Sequence, residues 1–188
     1  MNDGADALAW RATAALRSDA CVFVDRDGVL NERVHDGYVL TWNDFRWRPD
    51  AKEAVQTLTL AGVPVVVVSN QSGVGRGLMP VESLLDIMRR MTDELAAAGG
   101  PLTAWYACPH APSDGCDCRK PKPGMLHRAA RELKLDLSRC TMIGDTETDV
   151  AAGAAAGCAT HLIDPSDPRA LLRVATAIVA KTARTPEA

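Results

Sequence analysis

Short apolar runs that stop at a polar or glycine residue alternate along the chain with longer stretches whose apolar positions recur every three or four residues. Residues 21–24 form the first such run and end at Asp25. Residues 64–68 contain consecutive valines, the composition of a strand covered on both faces, as in a parallel sheet. Residues 103–107, 141–144 and 160–163 repeat the strand pattern. Between these runs, Ala51, Val55, Leu58 and Ala61 recur at helical spacing, with Pro49 suited to the first turn and Gly62 to the position past the end. Leu84, Met88, Met91 and Leu95 share one face of a helix over 80–98, where the methionines read as core filler. Further helices are predicted over 123–133, over 150–156 and from Pro168. The Ala-rich stretch 5–16 predicts a leading helix, and the tail from Arg184 predicts fraying. Strand and helix thus alternate five times, which argues for an α/β fold with a doubly wound parallel sheet and right-handed crossovers.

Composition narrows the classes. The 188 residues suit one domain at about 150 residues per domain, so 1–188 reads as a single domain with its core at about 20–165. With 47% hydrophobic and 24% charged residues the chain is ordinary globular protein, which excludes disorder as its main state. No apolar run approaches the ~18 residues of a membrane span. A net charge of −3 gives no support for a basic nucleic-acid-binding stripe. The start carries acids and no apolar signal region. Cys21, Cys140 and Cys158 sit singly in or beside apolar segments as small core residues. The expectation is a cytoplasmic protein with reduced thiols. A monomer is expected, since no large apolar surface pattern stands out.

In open parallel sheets ligands bind outside the carboxyl ends of the strands. Those ends carry Asp25 and Asp27, then Ser69 and Asn70, then a Cys/His loop leading to Arg119 and Lys120, then Asp145 with Asp149 one turn on. Carboxylates gathered on one rim repel one another and require a compensating cation. Oxygen ligands favour a hard ion such as Mg²⁺. A hard cation, a lysine, hydroxyl and amide donors and a spare carboxylate suit a phosphoryl group. Asp149, a first-turn helix acid, can also be read as a complement to the helix dipole. His127 and His161 read as packing or surface residues, His35 lies in a loop near the rim, and the four tryptophans read as anchors.

Cys108 and His110 are followed by Cys116 and Cys118, a Cys₃His set of the type found in closed structural zinc sites. A surface disulfide and free thiols are the other readings of these residues. The prolines of this loop preclude regular structure, so metal binding could supply its folding energy. The expected zinc loop spans 108–118 and opens directly into Arg119 and Lys120.

The runs VFVDRDGVLN, VVVVSNQSGVGRG, CRKPKPGML and MIGDTETD resemble, in order, the four motifs of the haloacid dehalogenase superfamily of aspartate-nucleophile phosphatases. The resemblance covers about residues 21–164. It implies a Rossmann-like core in which Asp25 is the nucleophile and Asp27 the general acid and base, with a raised pKa. It also implies that Ser69 and Lys120 hold the phosphoryl oxygens, and that Mg²⁺ rests on Asp25, Asp145 and the main-chain carbonyl of Asp27. Arg119, Gly37, Tyr38, Asn70, Gln71 and Ser72 would touch substrate. The short stretch between Asp25 and Ser69 leaves no room for a large cap domain. Within the superfamily, DGYV, SNQSGVGRG and CPH…CDCRKPKPGM resemble the heptose 1,7-bisphosphate 7-phosphatases, which implies a small phosphorylated sugar as substrate and supports zinc in the Cys/His loop. The short loop also resembles the phosphatase part of histidinol-phosphate enzymes. Thr146 stands where some relatives have a lysine. A reading from another class is a phosphoacceptor signalling domain, which forms an aspartyl-phosphate without repeated turnover.

Overall fold

The computed structural model describes residues 7–13, 18–35 and 37–182. Six strands form one sheet: β1 Leu8–Arg11, β2 Val22–Val24, β3 Val65–Asn70, β4 Ala104–Cys108, β5 Thr141–Gly144 and β6 Ala159–Leu162. Their order across the sheet is β1-β4-β3-β2-β5-β6. All neighbouring pairs run parallel except β1 with β4. Consecutive strands β2 and β3 are neighbours, while β5 takes the other side of β2. The chain therefore reverses its direction of travel across the sheet at β2, and this opens a crevice at the strand ends there.

The helices are α1 Ala51–Leu60, the single turn α2 Ser72–Gly75, α3 Val81–Ala97, α4 Gly124–Leu133, α5 Glu147–Ala156 and α6 Ala170–Thr182. They cover both faces. On one, Val22, Val24, Val65 and Val67 pack with Leu58 of α1, Leu84, Met88 and Met91 of α3 and Leu171 of α6. On the other, Phe23, Val66, Val68 and Met142 pack with Met125 and Leu126 of α4 and Ala152 of α5. Alternate residues of β2, β3, β4 and β5 enter opposite cores, which is why the valine run carries no polar alternation. Met88 and Met91 are fully buried, as core filler should be.

The leading segment departs from expectation. The predicted helix over 5–16 is, in its described part, the edge strand β1, paired antiparallel with β4 from Leu8↔Ala107 to Arg11↔Ala104. Open hydrogen-bonding groups on β4 outweigh the local helix propensity of an Ala-rich stretch. Trp10, expected as an anchor, is partly exposed there. The other three tryptophans do anchor: Trp105 is buried in β4, while in the loop Trp42 stacks on Phe45, Phe45 meets Trp47 edge-on, and the Trp47 indole donates to Glu94 at 2.7 Å. These contacts pin the base of the loop that crosses the strand ends. The predicted fraying from Arg184 lies outside the described residues.

Helix α5 begins one turn earlier than its apolar pattern suggests. Thr146 caps it, and Asp149 reaches back to the Thr146 amide at 3.1 Å and hydroxyl at 2.6 Å, closing a capping box. No helix among the described residues is long and apolar enough to cross a membrane.

Candidate active site

Asp25 leaves the end of β2, Asp145 the end of β5, and Asp149 enters from the first turn of α5. One carboxylate oxygen from each lies within 4.8 Å of the others. Gly28 makes the approach possible: it holds φ +88°, and a Cβ there would fall 1.9 Å from an Asp145 oxygen. Lys120, fully buried, places Nζ 2.9 Å from Asp25 Oδ1 and 2.5 Å from Asp149 Oδ1. It also donates to the Val68 carbonyl at 2.7 Å.

The electrostatics follow from this crowding. Burial pushes the Asp25 carboxyl up; Lys120 opposes that, while Asp149 and Asp27 add to it, and the net direction is upward. Asp145 is pushed up to about 6, first by burial and then by Asp25, with Arg33 opposing. Burial alone would depress Lys120, but Asp25 and Asp149 outweigh it and keep the ammonium charged. Despite Lys120, Asp25 Oδ1 and Asp149 Oδ1 accept no aligned hydrogen bond. Two buried oxygens with uncommitted lone pairs, beside a third carboxylate, fit a hard divalent cation.

Asp27 points into a different set. It accepts from Arg26 Nη2 at 2.8 Å, from Asn31 at 2.9 Å and from Gln71 at 2.7 Å. Burial pushes its carboxyl up, but the Arg26 guanidinium and these hydrogen bonds outweigh burial and hold it below the usual carboxylate range. The raised value expected of an acid/base carboxyl is therefore corrected: in this arrangement Asp27 is held ionised by an arginine whose role the sequence did not disclose. Its carboxylate is not one of the three clustered acids.

An open cleft of about 590 Å³ lies over these groups. Gly37, Tyr38, Asn70, Gln71, Ser72, Arg119 and Lys120 all line it, together with His35 and Arg33. Ser69 lies beneath: its hydroxyl accepts from Gln71 at 2.9 Å and retains its own proton for donation. Asn70 borders the cleft, yet both ends of its amide are committed to the Lys120 backbone at 3.0 Å. It positions the lysine. Asp149 contributes one oxygen to the helix cap and turns the other toward Lys120, so the dipole reading covers only half of its role.

The Cys/His loop joins β4 to α4. Cys108 Sγ lies 3.6 Å from both His110 Nδ1 and Cys116 Sγ, Cys118 Sγ lies 3.2 Å from His110 Nδ1, and the Cys116 and Cys118 sulfurs are 3.5 Å apart. Ligand separations of about 3.5–3.8 Å are the edges of a tetrahedron with zinc–ligand bonds of about 2.0–2.3 Å. The hydrogen bond from Cys118 holds the Cys108 thiol down to about 5, while Cys118 is itself pushed up, first by Cys108. Full ionisation of such a set requires a cation, and this donor set fits zinc. The loop reaches the cleft through the Gln71 amide on the Cys108 carbonyl at 2.7 Å and the Gly75 amide on the Pro109 carbonyl at 2.8 Å.

A mostly parallel sheet whose strand order reverses at β2 thus carries Asp25 and Asp27 at the end of that strand and Lys120 on the loop after β4. The model of the haloacid dehalogenase-like hydrolases matches residues 4–157, and the chain belongs to that family. It is 40% identical over 151 residues to the D-glycero-β-D-manno-heptose-1,7-bisphosphate 7-phosphatase of Bordetella bronchiseptica, covering 80% of this chain and 84% of that one. It is 38% identical over 146 residues to the corresponding α-heptose enzyme of Mycobacterium tuberculosis, covering 74% and 77%. The crystal structure of the D,D-heptose 1,7-bisphosphate phosphatase from B. bronchiseptica, complexed with magnesium and phosphate, superposes with a TM-score of 0.80 at 34% identity, over 86% of this chain and 98% of that one.

Proposed function

We propose that the chain is a phosphatase that removes the 7-phosphate from D-glycero-D-manno-heptose 1,7-bisphosphate. The observation that carries this reading is the convergence of Asp25, Lys120, Asp145 and Asp149 under one cleft, in a chain 40% identical to an enzyme of that name. Asp25, Asp145 and the main-chain carbonyl of Asp27 would hold Mg²⁺. Bound there, the ion supplies charge neutralisation at the phosphoryl oxygens.

The chain's own groups perform the transfer. An Asp25 carboxylate oxygen bonds to phosphorus as the bond from phosphorus to the sugar oxygen breaks, and Asp27 gives that oxygen a proton. Asp27 is ionised beside Arg26, but a phosphate dianion arriving next to it favours its protonated form. Asp27 then takes a proton from water. The water oxygen bonds to phosphorus, the bond to Asp25 breaks, and inorganic phosphate leaves. Ser69 and Lys120 donate to the phosphoryl oxygens, and Lys120 offsets the charge of Asp25.

Cys108, His110, Cys116 and Cys118 would hold zinc in a structural role, fixing the loop that delivers Arg119 and Lys120. Gly37, Tyr38, Gln71, Ser72 and Arg119 line the path of the sugar. We read the protein as a cytoplasmic monomer, because its thiols suit a reducing compartment and no large apolar surface pattern stands out in its sequence.

The test is catalytic efficiency on both anomers of heptose 1,7-bisphosphate against histidinol phosphate. A heptose preference is expected, and a histidinol phosphate preference overturns the substrate. Release of one equivalent of phosphate without further turnover would instead mark a phosphoacceptor domain.

A further inference from the structure

Four cationic side chains of arginine and lysine border the cleft: Arg26, Arg33, Arg119 and Lys120. Arg26 is fully buried and committed to Asp27, Lys120 lies between Asp25 and Asp149 in the catalytic set, and the Arg119 guanidinium lies 3.4 Å from the His110 carbonyl of the Cys/His loop. Arg33 differs. Its side chain is half exposed, yet its guanidinium sits 2.8 Å from Asp145 Oδ2 and 3.0 Å from Oδ1, over a carboxylate that is itself only 1% exposed. Asp145 is accordingly absent from the cleft wall, and Arg33 is present in its place.

Charge balance makes this contact exchangeable. Asp25, Asp145 and Asp149 bring three negative charges, against which the chain sets Lys120 and Arg33. A divalent cation among the three acids balances them together with Lys120 alone, leaving the guanidinium surplus and in competition for the same Asp145 oxygens. A long, half-exposed side chain can turn from Asp145 into the cleft with little loss of packing. The proposed substrate carries a second phosphate that cannot share the catalytic acids. At the cleft's outer wall the guanidinium fork of Arg33 matches phosphate oxygens.

The geometry points to Arg33 as a specificity residue that exchanges partners: it covers Asp145 until a divalent cation takes those oxygens, and then binds the second phosphate of a bisphosphorylated substrate. This rests on the bisphosphate reading above and assigns its selectivity to one side chain.

The test compares wild type, Arg33→Ala and Arg33→Lys in two measurements. The first is calorimetric titration with Mg²⁺ alone. Removing the competing guanidinium should tighten Mg²⁺ binding by about twofold to fivefold in Arg33→Ala, the range of a half-exposed ion pair. The second is the ratio of kcat/KM for the bisphosphate to that for the same sugar carrying only the 7-phosphate. That ratio should fall by about tenfold in Arg33→Ala and by less in Arg33→Lys, which keeps the charge without the fork. A general loss of activity leaves the ratio unmoved. Mg²⁺ affinity that is unchanged or weaker in Arg33→Ala overturns the exchange, and so does an unchanged ratio. If wild type itself shows no preference for the bisphosphate, the substrate reading fails first. If that preference is present in wild type and survives in Arg33→Ala, only the assignment to Arg33 fails.

Discussion

The acidic rim and the Cys/His loop each bring metal-ligating atoms within 4.8 Å of one another, but they are held together differently. The rim acids sit on the ends of β2 and β5 and the first turn of α5, so the sheet and a helix cap impose their spacing. The chain supplies its own counter-charges there, Lys120 and Arg33. The loop carries a single short turn, Pro112–Asp114, and is tied at its edges by exposed Lys122 on the carbonyls of Gly115 and Cys116 and by the Gly75 amide. The rim is a geometry that the fold makes. The loop has little regular structure of its own, and under the proposed function zinc would fix its geometry and so place Arg119 and Lys120.

That contrast is broken most severely at Lys120. Lys120→Ala strands Asp25 and Asp149 in the interior, so it should cost about 3–5 kcal/mol of stability as well as turnover, read by denaturant unfolding and phosphate release. Asp25→Asn should abolish turnover with no loss of thermal stability, because it removes one of three mutually repelling acids. A variant that unfolds instead would mean that the rim depends on its charges more than on the sheet. Next in size, Cys116→Ser or strong chelation should remove an equimolar zinc detectable by metal analysis and lower activity by about 10–100-fold, with helix and strand content retained in circular dichroism. The smallest effect sharpens the link between the two regions. A Cβ at Gly75 would meet the Ala111 amide nitrogen at 2.4 Å, so Gly75→Ala should push α2 off the loop. It should cost about 1–3 kcal/mol and raise KM more than it lowers kcat.

Much of this was legible in the sequence wherever a property is local. The valine run announced a strand buried on both faces, and Thr141–Gly144 and the aspartate after it read directly as a strand and a rim acid. The four Cys/His side chains that the structure brings together were identifiable by residue type and spacing. Properties that depend on non-local partners were hidden. Strand β1 exists because β4 offers an open edge, which an Ala-rich stretch cannot disclose. Asp149 has the signature of a helix cap, and only the arrival of Lys120 from the loop after β4 shows its second use. The lowered pKa of Asp27 depends on Arg26 folding back over its own neighbour and on Gln71, forty-four residues away. Asn70 resembles a substrate contact in sequence, but the structure turns both ends of its amide onto the Lys120 backbone.

The central claim is that each turnover passes through an acyl phosphate on a rim carboxylate. It is tested most directly by the stereochemical course at phosphorus, using a 7-phosphorothioate substrate made chiral with oxygen isotopes and hydrolysed in isotopically labelled water. Two successive displacements, on Asp25 and then by water, predict overall retention of configuration. Inversion would mean that water attacks the substrate in a single step, and would contradict the account.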